Sequence, residues 1–171
     1  MLKVGLISDT HNYLDPQVFN YFKGCHEIWH AGDFGSIKIA EELENIAPVV
    51  GVYGNIDGQD IRKVYPLYQR CVKEGVDIWM THIGGNPGRY ALPIRKEMEN
   101  NPPDLFICGH SHILKIARDP HNRNVLYMNP GAAGKQGFQI MRTVIRFVID
   151  DGEITNVEVI NLGPRTEKAD L

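Results

Sequence analysis

The side chains best able to do chemistry in this sequence are imidazoles and carboxylates that directly follow apolar segments. His110 and His112 come after an apolar run that stops at Gly109, and Asp9 and His11 follow the first apolar run with the same spacing. Side chains repeat every second residue along extended backbone, so each pair is expected to point into one volume at the end of a strand. A single His-x-His pair is weak, and it gains weight here because the pattern recurs.

Three further apolar runs end in the same way, and they deliver Asp33, Asn55 and His82. The candidate metal ligands are therefore Asp9, His11, Asp33, Asn55, His82, His110 and His112. This set is larger than one tetrahedral zinc would use. Mixed nitrogen and oxygen donors without cysteine favour two catalytic transition metals over a structural zinc.

A pair of bound cations places a specific demand on one of these residues. Two dications about 3.5–4 Å apart need a bridging anion to offset their repulsion, and a carboxylate with two oxygens can provide it. Asp33 lies midway in the set and is the predicted bridge. Asn55 suits its position because an amide oxygen coordinates a metal without adding negative charge. We assign catalytic roles to Asp33, Asn55 and His11.

Strand and helix signals alternate over the first 55 residues. Apolar runs at 3–8, 27–30 and 49–53 are predicted strands, and the segments after Asp15 and Ser36 have the apolar periodicity of helices. This alternation is typical of βαβ units and a parallel sheet. Sites in such sheets form beyond the carboxyl ends of the strands, which is where the candidate ligands fall.

The second half of the chain is rich in strands, with one predicted helix near 89–99. The pattern predicts strands at 67–73, 76–81, 104–108, 113–118, 124–128, 138–149 and 153–160. An α/β first half and a β-rich second half indicate two sheets packed face to face with helices outside. We predict a single domain over residues 1–171, with a frayed tail at 163–171.

Composition narrows the class of protein. The chain has 171 residues, 43% of them hydrophobic, and a net charge of −3, which argues against a nucleic-acid-binding surface. Its apolar runs are shorter than the roughly 20 residues that cross a bilayer, and the N-terminus lacks signal-peptide features. Cys25, Cys71 and Cys108 are widely spaced and indicate reduced thiols in a cytoplasmic protein. The apolar run 144–149 is either sheet core or a subunit contact, so a homo-oligomer stays open.

The ligand set as a whole resembles a known family. Asp9-x-His11, Gly32-Asp33, Gly54-Asn55, His82 and Gly109-His110-x-His112 are similar, in order and spacing, to the motifs of the calcineurin-like metallophosphoesterases. The short length and the Asn129-Pro-Gly131 loop resemble the small YfcE-type phosphodiesterase branch.

That resemblance implies an α/β fold, a four-layer α/β/β/α sandwich of two mixed sheets, and a binuclear metal centre. By its motifs one metal is held by Asp9, His11, Asp33 and His112, and the other by Asp33, Asn55, His82 and His110. It implies two divalent metal ions, with manganese favoured and iron, nickel, cobalt or zinc acceptable. The implied activity is hydrolysis of a small phosphodiester substrate by in-line attack of a metal-bridging hydroxide on phosphorus.

The sequence departs from the family at one position that bears on substrate. Many relatives have a histidine after the asparagine, placed to protonate the leaving oxygen, whereas this chain has Ile56. Isoleucine donates no proton, so we expect a preference for esters with acidic leaving groups. Arg89 could bind substrate phosphate or be a surface residue, and His30 could be a core residue or orient a ligand.

Two other functions compete with the phosphodiesterase. The first is a protein-interaction scaffold, because the retromer complex contains a subunit of this fold that works as an interaction module. That role tolerates lost ligands, and none of the seven is lost here. The second is a metallo-β-lactamase-like hydrolase, which its missing His-x-His-x-Asp-His motif excludes: Ile113 and Leu114 follow His112.

Overall fold

The computed structural model describes residues 1–167, which form twelve strands and four helices. The first part of the chain consists of β1 (Leu2–Ile7), α1 (Gln17–Tyr21), β2 (Glu27–His30), α2 (Ile37–Glu44), β3 (Val49–Gly51) and α3 (Gln59–Arg62). The middle part consists of β4 (Tyr68–Lys73), β5 (Val76–Thr81), β6 (Gly85–Asn86), β7 (Arg89–Tyr90), α4 (Leu92–Asn100) and β8 (Leu105–Ile107). The last part consists of β9 (Leu114–Asp119), β10 (Val125–Pro130), β11 (Met141–Asp150) and β12 (Glu153–Pro164).

Two five-stranded sheets organise these elements. The first sheet has the order β12-β11-β1-β2-β3 and the second has the order β4-β5-β8-β10-β9. Both are mixed: β1, β2 and β3 run parallel, as do β5, β8 and β10, and antiparallel strands complete each sheet. The parallel runs direct the loops after β1, β2, β3, β5 and β8 to the carboxyl edges of the two sheets.

Three apolar clusters show how the layers pack. The first lies between the sheets and joins side chains such as Leu6 of β1 to Met80 of β5. A second cluster holds α1, α2 and α3 against the outer face of the first sheet, with Val18, Leu43 and Ile61 contributed by the three helices. A third packs α4 on the outer face of the second sheet. The protein is therefore a four-layer α/β/β/α sandwich, as expected.

The final hairpin resolves one alternative that the sequence left open. The side chains of Val144, Ile145, Phe147 and Ile149 on β11 are all buried within the chain. They form sheet core rather than a contact between subunits. The expected frayed tail was wrong at its start, because Gly163 and Pro164 belong to β12 and pair with Arg142 and Met141. The rest of that expectation falls partly on residues 168–171, which lie outside the described residues.

The helix predicted near 89–99 begins three residues later, at Leu92. Arg89 and Tyr90 instead pair with Asn86 and Gly85 in a small hairpin. Gly85 and Gly88 adopt positive φ of 81°, a conformation that turns the chain sharply and that glycine adopts without strain. None of the helices in the described part of the chain has the length and apolar character needed to span a bilayer.

Candidate metal centre

All seven predicted ligands lie in loops at the carboxyl edges of the two sheets. Asp9 and His11 follow β1, Asp33 follows β2, Asn55 follows β3, His82 follows β5, and His110 and His112 follow β8. The two sheets face each other, so these loops meet at one end of the sandwich. The structure thus gathers side chains from positions 9 to 112 into a single site.

The backbone that carries them is not extended, and the expected strand-like alternation was wrong. Asp9, His11, His110 and His112 have φ between 44° and 69°, in the left-handed region. The chain turns as soon as each strand ends, because its amides bond across to the neighbouring loop: Asp9 N–H donates to the Gly32 carbonyl at 3.0 Å. The two side chains of each pair still point into one volume, but left-handed turns direct them there instead of the alternation of an extended strand.

The first ligand group consists of Asp9, His11 and His112. Their ligand atoms all lie within 4.8 Å of one another. Asp9 Oδ1 is 3.2 Å from His112 Nε2 and 3.8 Å from His11 Nε2. The Asp9 carboxylate is fully buried, and its second oxygen, Oδ2, accepts hydrogen bonds from Ser8 Oγ and from the backbone N–H of His110. Oδ1 is therefore left facing the histidines.

The second ligand group consists of Asp33, His82 and His110, with ligand atoms that also lie within 4.8 Å of one another. Asp33 Oδ2 is 3.1 Å from His82 Nε2. Asn55 joins this group through its Oδ1, which lies 3.0 Å from His110 Nδ1. Asp33 Oδ2 also lies 3.5 Å from His11 Nε2 of the first group. Asp9 Oδ1 of the first group lies 3.8 Å from His82 Nε2 of the second. The two groups are therefore contiguous, and Asp33 makes the shorter approach across them.

Three buried polar atoms in the site have no hydrogen-bond partner among the described residues: Asp9 Oδ1, His11 Nε2 and His82 Nε2. Buried polar atoms are rarely left unpaired, because each loses its hydration without compensation. A carboxylate oxygen and imidazole nitrogens with free lone pairs are what a divalent transition metal binds. The residues therefore fit a metal ion, and the unpaired atoms face the space where it would sit.

Outer hydrogen bonds orient two of the histidines. His82 Nδ1 lies 2.7 Å from the Ala31 carbonyl, an obligate acceptor, so Nδ1 carries the proton and Nε2 presents its lone pair. His112 Nδ1 lies 2.9 Å from Gln139 Oε1 and is oriented in the same way. Sequence reasoning did not find Gln139, because no local pattern marks a residue that approaches His112 from another loop.

Electrostatics favour a cation in the site. Burial opposes ionisation of Asp9, but the imidazoles of His11 and His112 beside its Oδ1 outweigh burial and hold the pKa of the carboxyl well below its usual range. Burial likewise opposes ionisation of Asp33, and the nearby His82 outweighs it and lowers the pKa of that carboxyl. Two ionised carboxylates in one small buried volume attract positive charge strongly.

Asp57 builds the site without reaching it. Its buried carboxylate accepts hydrogen bonds from the backbone N–H groups of Asp33, Phe34, Gly35 and Gly54 at 2.8–3.3 Å. It therefore fastens the loop after β2 to the loop after β3.

The structure places His30 and Arg89, whose roles the sequence left open, in different surroundings. His30 is fully buried, stacks on Phe34 with ring centroids 3.6 Å apart, and accepts a hydrogen bond from the Gly32 N–H. Burial lowers the pKa of His30 to about 3, so its ring is neutral. His30 is thus a core residue that supports the Asp33 loop. The Arg89 side chain stands exposed on β7, without a hydrogen bond or ion pair to another described residue.

Sequence comparisons agree with this geometry. The model of the calcineurin-like phosphoesterase superfamily domain matches residues 2–152. A probable metallophosphoesterase of Methanothermobacter thermautotrophicus is 44% identical over 165 residues, which cover 94% of this chain and 92% of the relative. A phosphodiesterase of Methanocaldococcus jannaschii is 26% identical over 149 residues, which cover 76% of this chain and 83% of the relative.

Solved structures share the fold. An archaeal phosphodiesterase superposes with a TM-score of 0.73 at 22% identity, covering 93% of this chain and all of the other. Vps29 from Chaetomium thermophilum superposes with a TM-score of 0.74 at 14% identity, covering 97% of this chain and all of the other. These identities show the fold alone. The family match and the 44% identical relative go further, and they establish that this chain belongs to the calcineurin-like phosphoesterase superfamily.

Proposed function

We propose that this protein is a metal-dependent phosphodiesterase that hydrolyses small phosphodiesters at a centre of two divalent cations. The observation that carries the proposal is the convergence of two contiguous ligand groups around three buried atoms without hydrogen-bond partners. Family membership and the relatives named as phosphoesterases support the same reaction class.

The ligand roles follow from which atoms face inward. Asp9, His11 and His112 would hold one cation, and His82, His110 and Asn55 the other. Asp33 would bridge them, because its Oδ2 lies 3.5 Å from a histidine of the first group and 3.1 Å from one of the second. Manganese, iron, nickel, cobalt and zinc all accept nitrogen and oxygen donors of this kind, and availability decides among them. Manganese is the ion that we propose first.

Bound cations would supply an activated water as nucleophile and would neutralise charge that develops on the phosphoryl oxygens. The protein's own residues orient that chemistry. Asn55 adds an oxygen ligand without adding charge, and His110 stands exposed at the mouth of the site, where substrate enters. The burial of Asp9 and Asp33 keeps bulk water from screening their attraction for the cations.

The chain supplies no proton donor at the position that follows Asn55. Ile56 has a side chain that is 48% exposed, and its backbone N–H donates to Asp33 Oδ1 at 3.0 Å. It therefore lies beside the centre but cannot protonate a leaving oxygen. Loss of a general acid typically lowers the rate by ~10²–10⁴-fold, and most for a basic leaving group. The rate is expected to depend steeply on leaving-group pKa.

Hydrolysis of bis-p-nitrophenyl phosphate tests the proposal directly. The metal-free protein should be inactive, Mn²⁺ should restore the activity, and Asp33→Ala should abolish it at any Mn²⁺ concentration. Asp60→Ala removes an exposed carboxylate near the same edge, outside both ligand groups, and should leave the activity intact. Hydrolysis that ignores both the metal and Asp33→Ala would exclude the proposed centre.

The scaffold alternative has one supporting observation, the structural likeness to Vps29. A scaffold needs the shape of the fold but not a complete set of ligands, and here all seven converge. The alternative would be favoured if the protein bound Mn²⁺ with the expected stoichiometry and yet hydrolysed no diester, whatever its leaving group.

A further inference from the structure

Two apolar cavities flank the candidate metal centre. The first, which we call the Leu67 cavity, has a volume of about 310 Å³ and an apolar wall that includes Leu67, Tyr68, Ile83 and Pro93. Asn55 and His82 of the second ligand group also line it. The cavity is therefore continuous with the centre, on the side of one ligand group.

The second, which we call the Phe138 cavity, has a volume of about 410 Å³ and borders both groups, through His112 of the first and His110 of the second. His110 and His112 line it together with Ile113 and Phe138. The Phe138 side chain is fully exposed. An aromatic ring held in water next to the metal ligands is the kind of surface that a ligand covers.

Most of the apolar side chains in these cavities are poorly packed against the protein itself. Leu67, Tyr68 and Ile83 are each more than 40% exposed, and Ile113 is 66% exposed. Such groups lose contact with water only when something apolar sits on them. A phosphodiester has two ester substituents, and the centre is bordered by two apolar cavities that share no lining residue.

The missing proton donor independently restricts the chemistry of the substituent that departs. With Ile56 beside the centre, the departing alcohol must leave as its anion. Alcohols attached to aromatic or heteroaromatic rings form stable anions, whereas simple alkyl alcohols do not. The chemistry of departure and the apolar walls therefore select the same kind of group.

We propose that the substrate is a phosphodiester with two apolar, ring-bearing substituents, one in the Leu67 cavity and one in the Phe138 cavity. This proposal rests on the proposed function and names its substrate class. In the reaction one P–O bond forms to the oxygen of water and one P–O bond to a ring-bearing alcohol breaks. The alcohol leaves as its anion, and the proton of water passes to solvent.

Binding of unreactive diesters tests the proposal without relying on turnover. Calorimetry with the Mn²⁺-loaded protein should give a Kd for diphenyl phosphate about tenfold or more below that for dimethyl phosphate, because each phenyl ring buries apolar surface that a methyl group cannot. Leu67→Ala and Phe138→Ala should each weaken binding of diphenyl phosphate severalfold and leave that of dimethyl phosphate unchanged.

Two matched variants control for generic surface effects. Val72→Ala on β4 and Ile140→Ala, close in sequence to Phe138, each truncate a well-exposed apolar side chain that lines neither cavity. Neither should change either Kd. Equal Kd values for the two diesters would overturn the proposal. So would cavity variants that behave like these controls, or an effect at only one of the two cavities.

Turnover then separates this proposal from the proposed function. Phenyl p-nitrophenyl phosphate and methyl p-nitrophenyl phosphate release the same anion. The ratio of their kcat/KM values, divided by the ratio of their uncatalysed rates, therefore measures how strongly the enzyme prefers a phenyl over a methyl group as the second substituent. A corrected ratio of about ten or more supports the two cavities, and a ratio near one overturns them. Ring-selective binding without hydrolysis of either ester would instead overturn the phosphodiesterase and leave the two ring sites standing.

Discussion

Replacing Asp57 tests whether the metal site depends on a residue that does not reach it. Asp57 Oδ2 accepts the N–H groups of Asp33, Phe34 and Gly54, and Oδ1 accepts that of Gly35. Asp57→Ala removes both acceptor oxygens, and with them four hydrogen bonds, and leaves the loop after β2 without its tie to the loop after β3. We expect a loss of stability and, with it, a loss of metal affinity.

The magnitude follows from the number of donors left without a partner. An unsatisfied buried donor destabilises the fold by about 1–3 kcal/mol, and water entering the vacated space moves each toward the lower value. Four donors at about 1 kcal/mol each give about 4 kcal/mol for Asp57→Ala. Asp57→Asn keeps a neutral acceptor in the Oδ2 position for three of them and should lose roughly half as much, about 2 kcal/mol.

Urea unfolding in the presence of a chelator measures both variants without the contribution of bound metal. Asp60→Ala is the matched control, because Asp60 Oδ2 accepts a single N–H, from Ile37, at an exposed position. It should destabilise by about 1 kcal/mol. Metal titration should then show weaker Mn²⁺ binding by Asp57→Asn but not by Asp60→Ala. If Asp57→Ala destabilises no more than Asp60→Ala, the loops are held by something else.

Three further outcomes are expected. Gly54→Ala places a Cβ 2.0 Å from Asp33 Oδ1, so Asp33 must move. We expect the metal content to fall and kcat/KM to fall by about 10²-fold. Gly58→Ala is the control, because its Cβ meets nothing closer than 3.4 Å, and it should leave both quantities unchanged. Burial lowers the pKa of His30 to about 3 in the folded protein, from its ordinary 6.5. As the pH falls below 6.5, His30 therefore becomes protonated in the unfolded chain but not in the folded one, and the free energy of unfolding decreases progressively. Between pH 7 and pH 5 the wild type should therefore lose about 2 kcal/mol more than His30→Gln in chelator, and equal losses would contradict a neutral buried ring. Mn²⁺ at about 100 times its Kd should raise the unfolding free energy of the wild type by about 2.7 kcal/mol for each of the two bound ions, and an equal rise in Asp33→Ala would show that binding occurs elsewhere.

The convergence of the seven candidate ligands could be predicted from the sequence because each lies in a loop that follows a strand. Apolar runs in the sequence indicate the strands, and the carboxyl ends of parallel strands share one edge of a sheet. The order of the runs along the chain was therefore enough to expect Asp33 beside Asn55. The layer order followed from the same alternation and from the family resemblance. These features depend on local pattern and on rules of chain topology, both of which one sequence carries.

The supporting contacts could not be predicted, because they join loops that are distant in the chain. Gln139 approaches His112 from 27 residues away, and nothing in either segment marks the pair. Helix α3 has four residues, too few to show apolar periodicity. Phe138 was predicted to be the first residue of a strand, yet β11 begins at Met141. The Phe138 ring is therefore not part of the sheet and lies in solvent beside the candidate metal centre.

Backbone strain at the site completes the physical account. Asp9, His11, Asp33, His110 and His112 all have φ between 44° and 69°, a region that costs a residue with a side chain about 1 kcal/mol or more. Five such residues together cost about 5 kcal/mol, which is comparable to the net stability of many domains. The inter-loop hydrogen bonds to Asp57 and Asp9 offset part of this strain. The five left-handed residues lie in the loops that bring the unpaired atoms Asp9 Oδ1, His11 Nε2 and His82 Nε2 together, so the backbone strain is stored at the candidate metal centre.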